Sequence, residues 1–118
     1  MMKKSLSVAA IVLAALTATS CVTNTQLYSR HGYEDAVYTN YKKPTDKSQE
    51  KVLEQYRIVI EKQTGTRGTV PPGLYAEYGF LLYKTGKKEE GLNYMKQEIA
   101  LYPESKTYIS RIINQLDK

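Results

Sequence analysis

The sequence predicts an all-α fold, a small bundle of helical hairpins that begins after an N-terminal leader. Three observations carry the prediction. From Tyr33 onward apolar residues recur at intervals of three and four, the period of helices with one buried face. These stripes are punctuated by Pro44, Gly65, Pro72, Gly86 and Pro103, residues that end helices or open them. No segment alternates apolar and polar residues long enough to argue a strand.

The leader comes first. Lys3 and Lys4 form a positive n-region, Leu6 to Leu16 an apolar stretch of eleven residues, and Ala18-Thr19-Ser20 a run of small residues before Cys21, which is the order of an export signal. A helix needs roughly twenty apolar residues to cross a hydrocarbon core of about 30 Å, so cleavage is expected and spanning is not. Residues 18–21 resemble a lipobox, with Ala18 where Leu is commoner. On that reading residues 1–20 are a lipoprotein signal peptide, and Cys21 becomes the acylated N-terminus, palmitate among its chains. The other reading is an ordinary secretory signal cut after Ala18 or Ser20, which leaves Cys21 a free thiol. A lone thiol in an oxidising compartment invites intermolecular disulfides, and lipidation removes it. Several acyl chains on one cysteine hold a protein stably on its membrane. Val22 stands where, in lipoproteins resembling those of enteric bacteria, an Asp favours inner-membrane retention. The expected location is therefore the outer membrane, facing the periplasm.

Residues 21–31 are mixed and polar without a sustained period, and read as a lipidated tether to a helical domain over 32–118. Tyr33, Ala36, Val37 and Tyr41 predict a short first helix between Gly32 and Lys42-Lys43-Pro44. Thr45 or Asp46 can cap a second, on which Val52, Leu53, Tyr56, Val59 and Ile60 form a stripe that stops by Gly65. After the loop from Gly65 to Pro72, Pro72 is expected at the first position of a third helix. Leu74, Tyr75, Tyr78, Leu81 and Leu82 give that helix its apolar face, and Gly86 suits the left-handed residue just past its end. A fourth runs from Lys87 to Tyr102 with Leu92, Met95, Ile99 and Tyr102 on one side, halted by Pro103. Glu104 and Ser105 open a fifth, where Tyr108, Ile109, Ile112, Ile113 and Leu116 repeat at three and four.

Composition narrows the functions available. The chain has 118 residues; without the first twenty, 98 remain, enough for one small domain. Lys3 and Lys4 leave with the signal, so 15 basic residues face 12 acidic ones. They are interleaved, with no stripe suited to a phosphate backbone, and nucleic acid is not an expected partner. Tyrosine is the outlier, eleven against one Phe and no Trp. Its large ring and single hydroxyl suit half-buried seams and protein contact surfaces alike, and both readings stay open.

Between Tyr75 and Pro103 the spacing fits the roughly 34-residue helix-hairpin repeat. Tyr75 takes the large aromatic position, Tyr78-Gly79 the Leu-Gly pair and Leu82 the next large position. Gly86 takes the turn, Gly91 the small residue of the second helix, Met95 its large residue and Pro103 the closing proline. Glu98 departs from the small residue usual at its position. The segment resembles one tetratricopeptide-type hairpin. Solenoids usually need three neighbouring repeats to bury their faces, so a compact repeat-like bundle is expected.

The lipobox cysteine, Gly32-Tyr33-Glu34-Asp35, the run from Val70 to Gly79 (Val-Pro-Pro-Gly-Leu-Tyr-Ala-Glu-Tyr-Gly) and Leu101-Tyr102-Pro103-Glu104-Ser105 together resemble a family of small bacterial lipoproteins, the domain of unknown function 4810. The resemblance implies a periplasm-facing lipoprotein to which no enzymatic activity is assigned, often encoded beside a lipoprotein similar to the curli secretion pore and another small lipoprotein, and hence a partner in such an envelope complex.

No catalytic constellation is legible, and no cofactor or small-molecule substrate is expected. His31 is the single histidine and cannot make a zinc site alone. The serines lack a Gly-x-Ser-x-Gly turn, and Gly65-Thr66-Arg67-Gly68 lacks the Gly-Lys-Ser/Thr ending of a phosphate loop. Glu77, between Tyr75 and Tyr78, can accept from a tyrosine hydroxyl or from an incoming peptide amide. The expected function is a lipid-tethered, non-catalytic interaction module that binds another envelope protein, with Tyr75, Glu77, Tyr78, Tyr83 and Tyr94 as candidate contact residues. The alternative is a purely structural envelope lipoprotein with no specific protein partner.

Overall fold

The computed structural model describes residues 26–118 and, before them, Lys4 alone. The rest of the expected signal peptide and the lipidation site Cys21 lie outside the described residues. Among these, five α-helices and one 3-10 turn occur, with no strand. The all-α expectation holds.

The first helix, α1 (Tyr33–Lys42), carries Glu34 and Asp35 in its opening turn and Lys42 in its last, charges that complement the helix dipole. The second, α2 (Asp46–Glu61), is fixed at its start by a reciprocal pair of bonds. Ser48 N–H donates to Thr45 Oγ1 at 3.0 Å, and Thr45 N–H donates to Ser48 Oγ at 2.9 Å. Serine here does what Glu usually does in a capping box. Val52, Tyr56 and Val59 are the buried side of α2.

The third helix, α3 (Leu74–Lys84), begins two residues later than Pro72 had suggested. Gly73 has φ of 91°, outside the helical region. Leu74 N–H reaches back to Pro71 O at 3.3 Å, so the double proline makes a turn that delivers the chain to the helix. The other end follows the sequence closely. Gly86 has φ of 100°, and Lys87 and Gly86 N–H donate to Leu82 O and Tyr83 O at 3.0 and 3.2 Å, the two bonds of a Schellman stop. Next come α4 (Lys88–Leu101), a 3-10 turn over Pro103–Ser105, and α5 (Lys106–Leu116).

Helices α1 and α2 form one hairpin, α3 and α4 a second, and α2 packs on α3. Ala36, Val52, Tyr56, Val59, Val70, Leu74, Tyr78 and Leu82 make the core between them. The second hairpin is the tighter. A Cβ on Gly79 would overlap Gly91 O and crowd Met95 N, and a Cβ on Gly91 would overlap Gly79 O and Tyr83 N. Two backbones touching in this way leave no room for a methyl group. Helix α5 packs against α4 and the 3-10 turn, with Ile109 buried.

The packed fold reaches back to residue 26, six residues before the boundary expected at 32. Residues 26–31, read from sequence as the end of a tether, are docked on the loop after α2. Thr66 and Arg67 N–H donate to Gln26 O and Leu27 O at 2.9 and 3.0 Å. Gln63 is the hub of the joint: its Nε2 donates to Ser29 O at 3.0 Å, and its Oε1 accepts from the Ser29 hydroxyl at 2.9 Å. His31 takes φ of 49° and sets its Nε2 2.8 Å from Lys62 O, so the one histidine closes the strap. These are long-range backbone and side-chain bonds, which leave no periodic trace in a sequence. Gln63→Ala is expected to cost about 2 kcal/mol through several unmade bonds and to open residues 26–31 to limited proteolysis while helicity is kept. Unchanged cleavage of the strap would contradict its docking.

Candidate docking groove

The tyrosines singled out in the sequence form a seam inside the domain. Ring centroids run from Tyr33 to Tyr56 at 5.4 Å, Tyr56 to Tyr78 at 6.1 Å, Tyr78 to Tyr94 at 4.7 Å and Tyr94 to Tyr75 at 6.0 Å. Such offset and edge-on pairs add to the energy of burial. Tyr78 is only 6% exposed, which corrects its assignment as a contact residue. Tyr75 and Tyr94 are half-buried and stacked on each other. Tyr83 donates its hydroxyl to Leu116 O at 2.9 Å and thereby ties α3 to the last residue of α5. The reading of tyrosine as packing between helices prevails at these four positions.

Glu77 accepts from the Tyr56 hydroxyl at 2.6 Å. It therefore takes the first of its two expected roles, toward a tyrosine of α2. Burial pushes the Tyr56 hydroxyl well above its ordinary pKa, and the Glu77 bond adds to this. Burial first, then Tyr94 and Glu90, push Tyr78 up to about 12. Burial likewise pushes Tyr102 up to about 12, and its hydroxyl donates to Val70 O at 2.6 Å. These phenols stay protonated, and those of Tyr56 and Tyr102 act as donors, to Glu77 and to Val70 O.

The open surface lies on another side. Helices α3 and α5 stand as two walls over a floor made by α4, and between them runs a groove of about 520 Å³. Ala76 and Phe80 line it from α3, and Tyr108, Ile109 and Ile112 from α5; Met95, Glu98 and Tyr102 form the floor. Phe80 is 38% exposed and Tyr108 is 67% exposed, so two aromatic rings are set at the lips. An apolar concavity of this size, with a few polar groups inside it, is what a ligand or peptide site requires. Of the five residues nominated from sequence, Glu77 alone lines the groove.

Glu98 is the unusual member. It is 2% exposed, and its Oε1 accepts from the Gly73 N–H at 2.6 Å. That bond holds the entry of α3 to the last turn of α4. Its Oε2 is buried and has no hydrogen-bond partner among the described residues. The sequence did carry a sign of this residue, since an acid replaces the small side chain of the repeat pattern at position 98. Among the described residues no group of three His, Cys, Asp or Glu is placed to hold a metal ion, and no helix is long and apolar enough to cross a membrane.

Comparison with known proteins places the chain in a family. A family described as a domain of unknown function (DUF4810) matches residues 27–112, a span that starts inside the strap and ends within α5. No curated protein and no solved structure matches the chain.

Proposed function

The chain belongs to this family of unknown function, and we propose that it is a non-catalytic interaction module, anchored by lipid on Cys21 to the outer membrane and facing the periplasm. Its partner is another envelope protein, of the kind similar to the curli secretion pore lipoprotein. The groove between α3 and α5 is the observation that carries the reading, because large apolar side chains at Phe80 and Tyr108 stay exposed beside a concave apolar floor. Contiguous exposed apolar surface of this kind is typical of contact sites. The hairpin pattern around Gly79 and Gly91 supports a tetratricopeptide-like scaffold, and the groove lies between the first helix of that hairpin and the helix that follows it.

The test uses the full chain in cells. Cys21→Ser is expected to move it from the membrane fraction to the soluble periplasmic fraction and to end labelling by palmitate. Crosslinking of the unaltered chain is expected to recover one recurrent stoichiometric envelope protein. Recovery of cell-wall material alone would favour a purely structural lipoprotein, and a Cys21→Ser chain that stays on the membrane would remove the anchor.

A further inference from the structure

The groove holds one feature that a purely apolar contact does not need. Glu98 lies at its floor, 2% exposed, with Oε1 engaged by Gly73 and Oε2 without a partner among the described residues. A buried carboxylate oxygen left without a donor is costly, and native proteins seldom retain one without use. Glu77 and Glu104 line the same groove, and among the described residues no Lys or Arg lines it. Yet bases outnumber acids in the chain as a whole. The local charge is thus opposite to the global one, at the place where Phe80 and Tyr108 leave apolar surface exposed.

We infer that the groove takes a short segment of a partner protein in which one lysine or arginine stands among apolar side chains. The apolar side chains cover Phe80, Tyr108 and Ile112, and the cation's N–H donates to Glu98 Oε2 once a shift of the neighbouring side chains uncovers it. A wholly apolar segment would leave that oxygen buried and unpaired, and an acidic one would meet three carboxylates. A volume near 520 Å³ falls within the roughly 300–1,000 Å³ of sites that bury a small ligand, so only a few residues of the partner enter. The charge-assisted bond would supply orientation and selectivity, while the apolar contact supplies most of the burial.

This inference rests on the docking role proposed above, and its test separates the two. The photo-reactive residue benzoylphenylalanine replaces Tyr108 in the full, membrane-anchored chain in cells, and the attached peptide is sequenced. The expected adduct is a peptide of another protein with a Lys or Arg flanked by apolar residues. Glu98→Gln should lower its yield at least about ten-fold, because the amide still accepts from Gly73 but brings a donor where the cation needs an acceptor. Circular dichroism checks that the variant folds. Ile112→Lys supplies a second variant, setting a cation from the chain itself in the groove wall, and should suppress the adduct as well. A peptide without a basic residue, an adduct to lipid or to a second copy of this chain, or a yield undiminished by both variants overturns the inference. A protein adduct indifferent to both variants leaves the docking role standing, and no protein adduct at all removes both.

Discussion

Gly91→Ala is expected to lower stability by about 2–3 kcal/mol, although alanine is the better helix former. In the interior of α4 the exchange should gain roughly 1 kcal/mol from backbone propensity. Against this stands a collision with Gly79 O and with Tyr83 N, which are backbone atoms and have no rotamer to escape into. Overpacking of a tight contact costs about 1–3 kcal/mol and occasionally more; here two helices must separate along their length. The steric term therefore wins, and the sign of the effect is diagnostic. For a domain of this size each kcal/mol moves Tm by roughly 4–8 °C, so thermal unfolding of the Gly91→Ala chain should come about 10–20 °C early. An unchanged or higher Tm would show that the α3/α4 contact is looser than the structure has it. The consequence extends to the groove, because α5 packs on α4 and α3 supplies the other wall.

Helix positions were legible because stripes and breakers coincide. Lys43-Pro44, Gly86 and Pro103 bracket α1, α3 and α4, and the structure places the ends within a residue or two of them. The start of α3 was misread because Pro72 is an ordinary first helical residue, whereas Gly73 at φ of 91° holds the entry outside the helix. Residues 26–31 were misread for a different reason. Their order comes from Gln63 and the strap backbone, contacts thirty or more residues apart in sequence, and no local period reports such bonds. The groove was hidden because abundance drew attention to tyrosine, while its α3 lip is the single Phe. A signal was available in α5. Its stripe is wide, from Tyr108 through Ile109, Ile112 and Ile113 to Leu116, yet a helix that packs mainly on α4 and the 3-10 turn buries only part of it. Ile109 alone is fully buried there, and Tyr108 and Ile112 of the same stripe line the open side.

Tyr78→Ala and Tyr108→Ala should behave in opposite ways. Tyr78 is 6% exposed and lies within ring contact of both Tyr56 and Tyr94, so its removal leaves a cavity where α2, α3 and α4 meet. Large-aromatic truncations in cores cost about 3–5 kcal/mol, and the whole stability of a small domain is only about 5–15 kcal/mol. The Tyr78→Ala chain is expected to unfold at moderate temperature or to fail to accumulate, read by circular dichroism and by its level in cells. Tyr108 is 67% exposed, and a surface change away from special features stays within about 0.5 kcal/mol. Tyr108→Ala should therefore melt with the unaltered chain, yet lose recovery of the crosslinked partner about ten-fold or more, the effect of an aromatic anchor in a contact site. If Tyr108→Ala instead keeps the partner, the lip of the groove is not the contact. The partner would then have to be sought on α1, where Tyr38 and Tyr41 are 61% and 84% exposed. Stability and recovery measured on the same two variants thus divide the tyrosines by what they do: those of the seam hold the helices together, and the one on the lip is free to meet another protein.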